Sequence, residues 1–346
     1  MTDRADTGHQ GLDFLSSRLE AFLVSHFPDS GRGLLIERIS GGQSNPTYFV
    51  TYGTRRMVLR KKPAGPLLQG AHAVEREFRI LKALAATDVP VPKPILLVED
   101  LEILGTPFYL MERVEGRVFP DCSLADLPRD ERAPLFMAMA DALAALHRIR
   151  PDEVGLSDYG RPGNYFERQI TRWTRQWQQS SSPPIPDLDQ LAEWLPAHMP
   201  PDDGAVSIAH GDFRLGNLMF HPTEPRVVAI LDWELSTLGH PLADLGFCCM
   251  PWHTTPDEYG GIRGLDHEAL GLPSEADFVT RYIASAIPTA PLKPFHVIFA
   301  LFRFAVIFVG IADRARAGNA AGDDASAIGP LAARFAARAM EMVRCG

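Results

Sequence analysis

One stretch constrains this chain more than any other. It is His210-Gly211-Asp212-Phe213-Arg214-Leu215-Gly216-Asn217, followed by Ile230-Leu231-Asp232-Trp233-Glu234. Two short apolar runs, Leu218–Phe220 and Val227–Leu231, enclose a turn-rich segment from His221 to Pro225 and read as a hairpin. Each run sits beside an acidic or amide residue, so Asp212, Asn217 and Asp232 converge on one spot. These three side chains offer hard oxygen atoms to one or two Mg2+ ions, or one base and two ligands. Mg2+ takes only one or two carboxylates from protein and completes its shell with phosphate and water. A carboxylate five residues before an Asn, with a second carboxylate after a hairpin, is how kinase-type sites divide this labour. Each residue alone would serve equally well as a cap or turn former; the spacing of the set favours chemistry.

His-Gly-Asp-x-x-x-x-Asn with Ile-Leu-Asp-Trp-Glu resembles the aminoglycoside phosphotransferase/choline kinase family. The longer forms, His-Gly-Asp-Phe-Arg-Leu-Gly-Asn-Leu-Met and Asp-Trp-Glu-Leu-Ser-Thr-Leu-Gly-His-Pro-Leu-Ala-Asp-Leu, are closer to one subgroup. That subgroup stands alone in bacteria or is fused to some acyl-CoA dehydrogenases. The resemblance spans roughly residues 33–250. It implies an α+β, protein-kinase-like, two-lobed fold. Residues 1–112 would form a small nucleotide-binding lobe, a five-stranded antiparallel sheet plus a helix, with a leading helix over 12–27. Residues 113–346 would form a large, mainly helical lobe carrying the catalytic hairpin and the acceptor site. The resemblance further implies ATP between the lobes and Mg2+ on Asn217 and Asp232. Glu234 would bind a second metal through water or only support Asp232. Asp212 would accept the hydrogen bond of the acceptor hydroxyl, and Arg214 would neutralise the transferring phosphoryl group. His210 is read as a buttress of the loop, and Asp244 as an anchor for its backbone.

Upstream, Leu34–Ile39 and Tyr48–Tyr52 read as strands joined by Ser40–Asn45. Gly41, Gly42, Ser44 and Asn45 suit either a plain hairpin loop or a loop whose backbone N–H groups cover phosphates. Arg56–Lys62 is a third strand with a basic end. The resemblance puts the phosphate-binding cation at Arg60, after Val58-Leu59; Lys61 competes, but points to the opposite face. In the helix predicted over Ala71–Ala86, Glu77 borders the apolar stripe of Val74, Phe78 and Leu81, a poor place for an unpaired carboxylate. The resemblance makes Glu77 the partner of the cation, and Glu75 faces water. Ile95–Val98 and Pro107–Met111 complete the sheet. Glu112 and Val114 are placed at the adenine only by analogy, an ordinary strand end being nearly as good.

Helices are expected over 130–149, 164–179, 188–197, 241–250, 274–286, 292–316 and 327–344. Tyr165, Trp173 and Trp177 read as helix packing before they read as an acceptor pocket. Phe295–Ala312 is very apolar, but His296 and Arg303 favour a buried core helix over a membrane span. Arg303 is expected in a structural salt bridge. A formal net charge of −9 speaks against a general nucleic-acid or anionic-membrane surface. Cys122, Cys248, Cys249 and Cys345 lack metal-ligand spacing. The acidic first residues lack an apolar signal core, which points to the cytoplasm. The expected partner is a small-molecule hydroxyl acceptor, for a monomer or homodimer. The resemblance suggests a hydroxylated acyl or acyl-CoA acceptor. Alternatives are an aminoglycoside- or choline-type kinase, a catalytically weak nucleotide-binding scaffold, and a metal hydrolase using His210, Asp212, Asp232 and His240.

Overall fold

In the computed structural model, residues 12–39, 45–64, 73–161, 163–316 and 325–345 are described. The chain divides into two compact units, Met1–Glu115 and Gly116–Gly346.

The first unit contains α1 (Ser16–His26), β1 (Leu34–Arg38), β2 (Thr47–Tyr52), β3 (Arg55–Lys61), α2 (Val74–Leu84), β4 (Pro94–Val98), α3 (Leu101–Leu104) and β5 (Phe108–Glu112). The strands form one antiparallel sheet in the order β1-β2-β3-β5-β4, the five strands expected. Strand alternation sorts the side chains onto two faces. Tyr48, Val50 and Tyr52 of β2, Met57 and Leu59 of β3, and Phe108 and Leu110 of β5 join Leu19 and Leu23 of α1 in one buried cluster. The opposite face carries Arg60 and Tyr109 toward Glu77 of α2. The leading helix is shorter than expected. Asp13 and Phe14 leave it because Asp13 accepts hydrogen bonds from Lys61 Nζ at 2.6 Å and Tyr48 Oη at 3.1 Å, while Phe14 packs edge-on against Tyr48.

The second unit contains α4 (Arg129–Arg148), α5 (Tyr165–Gln178), α6 (Pro186–Ala197), β6 (Ser207–Ala209), β7 (Leu218–Phe220), β8 (Val227–Ile230), β9 (Thr237–Gly239), α7 (Pro241–Cys249), α8 (His267–Leu270), α9 (Glu275–Ile283), α10 (Pro294–Arg316) and α11 (Ala325–Cys345). β7 and β8 form the expected hairpin. β6 and β9, too short to leave a periodic signal, pair antiparallel in a second two-stranded sheet. Arg117 bridges to Phe220 through paired backbone hydrogen bonds of 2.8 Å. Gly116 permits that approach, since a Cβ there would lie 2.4 Å from the Phe220 carbonyl oxygen.

α10 is long and apolar enough to cross a membrane by length and composition, yet 78% of its most apolar stretch is buried inside the protein. Arg303 sits in that buried run, 7% exposed. The salt bridge expected for it is not what the structure shows: its Nη2 donates to the Gly211 carbonyl, and its guanidinium lies over the Trp173 and Phe247 rings. A backbone carbonyl and two π faces satisfy the cation without a second buried charge.

Candidate active site

In the first unit, β-sheet register builds a polar row. Thr47, Arg60 and Tyr109 are direct neighbours across β2, β3 and β5, so their side chains share one face. Arg60 and Tyr109 both reach Glu77, which is 2% exposed. Arg60 Nε lies 2.7 Å from Glu77 Oε2, Tyr109 donates to Oε2 at 3.1 Å, and Asn45 Nδ2 donates to Oε1 at 2.6 Å. Arg60 Nη1 also reaches Thr47 Oγ1 at 3.5 Å. Both oxygens of a buried carboxylate are thereby used, which holds the guanidinium in one orientation.

Lys61, one residue on, faces the other way. It is fully buried, its Nζ ion-paired to Asp13 Oδ2 at 2.6 Å and set over the Phe14 ring. The structure therefore brings Arg60, and not Lys61, to Glu77. The side-chain amide of Asn45, at the end of the loop that carries Gly41, Gly42 and Ser44, donates to Glu77. Gly41, Gly42 and Ser44 lie outside the described residues. Glu112 ends β5 and is exposed, and Val114 follows half-buried. Lys62 pairs with Glu75 at 2.6 Å, and both side chains are half-buried, so Glu75 does not simply face water.

In the second unit, the loop after β6 is locked before its functional side chains are considered. Asp244, in the first turn of α7, accepts the His210 N–H at 2.6 Å and the Gly211 N–H at 2.9 Å. Its Oδ2 also meets His147 Nε2 at 3.3 Å, and His147 Nδ1 meets the Tyr282 hydroxyl at 2.7 Å. Burial alone would raise the Asp244 carboxyl; the hydrogen bond and charge of His147, the His210 ring and the Gly211 amide outweigh it and hold the carboxyl below its usual range. Gly211 adopts φ +84, with a would-be Cβ 2.8 Å from the Leu235 carbonyl oxygen, so the residue type is imposed.

His210 is fully buried and both ring nitrogens are engaged. Asp212 N–H donates to Nδ1 at 3.2 Å, so Nδ1 is an acceptor, and Nε2 must carry the proton it gives to the Leu231 carbonyl at 2.9 Å. Such a ring ties the Asp212 loop to the end of β8 and has no lone pair left to act as base or metal ligand. Leu231 N–H in turn donates to the Asn217 carbonyl at 2.8 Å.

On this frame, Asn217 Nδ2 donates to both Asp212 Oδ2 at 2.7 Å and the Asp212 carbonyl at 2.9 Å. Two acceptors on one side require the NH2 group there, which turns Oδ1 away from Asp212. Arg214 Nε lies 3.5 Å from Asp212 Oδ2. Burial raises the Asp212 carboxyl above its ordinary value; the Arg214 charge pulls it back, and the nearby Asp232 charge pushes it up again. Two carboxylates close enough to repel each other suit a small divalent cation. Asp232 itself sits at φ +63, a backbone conformation rare outside glycine and common at functional sites. Glu234 lies on the following turn of 3-10 helix, half-buried. Among the described residues no three His, Cys, Asp or Glu side chains gather as a metal cage.

His240, considered for a hydrolytic set, lies elsewhere. Its Nε2 meets Asp203 Oδ1 at 2.9 Å and its Nδ1 accepts the Leu242 N–H at the start of α7. It lines a separate hollow with Tyr165, Phe166 and His296. Trp173 and Trp177 are buried helix-packing residues, as expected. Cys248 and Cys249 are buried thiols, Cys248 Sγ donating to the Phe213 carbonyl. The Tyr109 and Asn45 contacts to Glu77 and the Arg303 contact to Gly211 were missed from sequence. Register with Arg60 was the available signal for Tyr109, and an arginine alone in an apolar helix was the signal for Arg303.

Comparison with known proteins bears on these arrangements. The sequence model described as phosphotransferase enzyme family, APH, matches residues 35–277. Acyl-CoA dehydrogenase family member 10 of Mus musculus is 40% identical over 323 residues, covering 92% of this chain and 30% of that protein. The chain spans less than half the length of the curated relatives it matches. A crystal structure from Ralstonia eutropha, provisionally named as an aminoglycoside phosphotransferase, shares 44% identity with a TM-score of 0.86, covering 96% of this chain and 98% of that one. The aminoglycoside phosphotransferase APH(4)-Ia, solved with AMP-PNP and hygromycin B, shares the fold at 18% identity and a TM-score of 0.61, covering 96% and 99%.

Proposed function

The chain belongs to the phosphotransferase enzyme family and is a small-molecule kinase, and from that premise we propose that it moves the γ-phosphoryl group of ATP, with Mg2+, to a hydroxyl of a hydroxylated acyl compound or its CoA thioester. The observation that carries the reading is the Asp212–Asn217 pair beside Asp232, on a loop locked by Asp244, His210 and Arg303. Bound Mg-ATP would supply the phosphoryl group and the divalent charge. Asp232 and the outward Oδ1 of Asn217 would hold the metal, with Glu234 supporting Asp232. Asp212 would accept the hydrogen bond of the attacking hydroxyl and aim it, and Arg214 would face the charge developing on the transferred group. Arg60, oriented by Glu77, would meet the phosphates. Phosphoryl transfer depends mainly on such positioning and charge stabilisation.

A hollow beside Arg214 bears on the acceptor class. Its walls include Cys122, Phe247, Met250, Phe304 and Phe335. Its one carboxylate, Glu258, is held by Arg338 at 2.8 Å and 3.0 Å. An apolar wall with a cation at its edge suits an acyl chain and disfavours a polycation such as an aminoglycoside. The relatives named as acyl-CoA dehydrogenases point to the same class. The test is ADP release with Mg-ATP across hydroxy acids of increasing chain length, their CoA thioesters, choline and an aminoglycoside. Turnover that rises with acyl chain length is expected. Turnover confined to the cationic acceptors would overturn the acyl reading, and none with any acceptor would favour a nucleotide-binding scaffold.

A further inference from the structure

Arg214 is two residues beyond Asp212, and its contact to that carboxylate is long, 3.5 Å. A side chain with so much freedom needs more than one loose contact to face a reacting group. Two further surfaces enclose the guanidinium. Gly216 lies beneath it, since a Cβ there would sit 2.5 Å from Nη1. The Tyr259 ring lies across it, its centroid 5.4 Å from Cζ.

Tyr259 is not held there by its own preferences. It adopts φ +64, and a bulky residue keeps that conformation only when its surroundings impose it. Tyr259 as a whole is 45% exposed, and its ring is braced edge-on by Phe304 at 5.2 Å and Phe308 at 5.3 Å, both on α10. The two residues before it are gripped by α11. Asp257 is paired with Arg334, and Glu258, 5% exposed, makes a two-pronged pair with Arg338 at 2.8 Å and 3.0 Å. Glu258 also accepts the Thr255 N–H at 3.0 Å, closing the turn from which Tyr259 projects.

We propose that Tyr259 is a positioning residue that holds the Arg214 guanidinium against Asp212 through its ring face, and that α11 sets Tyr259 in place through Arg338 and Arg334. The catalytic consequence rests on the phosphoryl-transfer reading of Asp212 and Arg214. The geometric claim does not, because it concerns only where one side chain is held. A cation on an aromatic face is attracted by the ring and not by the hydroxyl. Phenylalanine should therefore serve at position 259 and an aliphatic side chain should not.

The full-length protein, labelled with 15N-arginine, tests this directly. The Arg214 Nε–Hε signal is assigned by its loss in Arg214→Lys. In Tyr259→Phe that signal is expected to stay narrow and slow to exchange with water. In Tyr259→Leu, and more weakly in Arg334→Gln, it is expected to broaden or exchange about tenfold faster. With the best acceptor from the panel above, Tyr259→Leu is expected to lose about tenfold in kcat with the KM for ATP within about twofold, and Tyr259→Phe to restore most of kcat. Arg338→Met should follow Tyr259→Leu; if loss of the buried pair unfolds that variant, the Tyr259 pair of variants decides alone. An unchanged Arg214 signal in Tyr259→Leu overturns the proposal whatever turnover does. Absence of turnover in the wild type overturns the kinase reading instead, and the Arg214 signal still decides the role of Tyr259.

Discussion

His296 is 2% exposed, and its Nδ1 accepts the Lys293 N–H at 2.9 Å. Burial, helped by the nearby His240 and Lys293 charges, lowers its pKa from 6.5 to about 4. The folded protein therefore binds this proton less readily than the unfolded chain. The stability it contributes is complete above pH 6.5 and is lost as the pH falls toward about 4. That shift corresponds to roughly 3 kcal/mol. Urea midpoints measured from pH 7 to pH 4 should fall steeply in the wild type and more gently in His296→Phe; parallel slopes would contradict this account. The desolvation of this histidine is hard to read from sequence, because it depends on Phe166 and His240 arriving from two other segments. Other residues were legible. The opposed directions of Arg60 and Lys61 follow from strand alternation, and the need of Glu77 for a partner follows from its place on the apolar stripe of α2. The bond from Asn45 to Glu77 was not legible, because it joins residues thirty-two positions apart in sequence.

At the scale of elements, the sheet of the first unit makes the sharpest claim. One row of β2, β3 and β5 delivers Arg60 to Glu77, and the other face buries Lys61 against Asp13. Arg60→Met should therefore raise the KM for ATP by about tenfold or more, the usual worth of a charge-assisted hydrogen bond. Lys61→Met should leave that KM within about twofold, since replacing a buried ion-pair member by an apolar side chain of similar length mainly affects stability. Equal losses in the two variants would mean that the row does not select the cation. Long periodic elements such as α4, α5 and α10 were legible because burial repeats along them. The β6–β9 pair and α3 were not, at three or four residues each. The start of α1 was set by Asp13 and Phe14 binding the sheet, a tertiary preference that local periodicity does not record.

At the scale of the whole molecule, each unit carries its own part of the proposed chemistry. The first holds a cation fixed by a buried carboxylate, and the second holds two acidic side chains and an amide on a locked loop. The motif placed that loop because its residues are close in sequence. The parts that lock it, Asp244, His147, Tyr282 and Arg303, come from four separate helices. The most direct measurement follows 31P NMR of Mg-ATP with the preferred hydroxylated acceptor, for the wild type, Asp212→Ala and Asp232→Ala, each checked for a native circular dichroism spectrum. The account predicts ADP and a phosphate ester of the acceptor with the wild type and neither with the two folded variants. Wild-type turnover in either folded variant would contradict it.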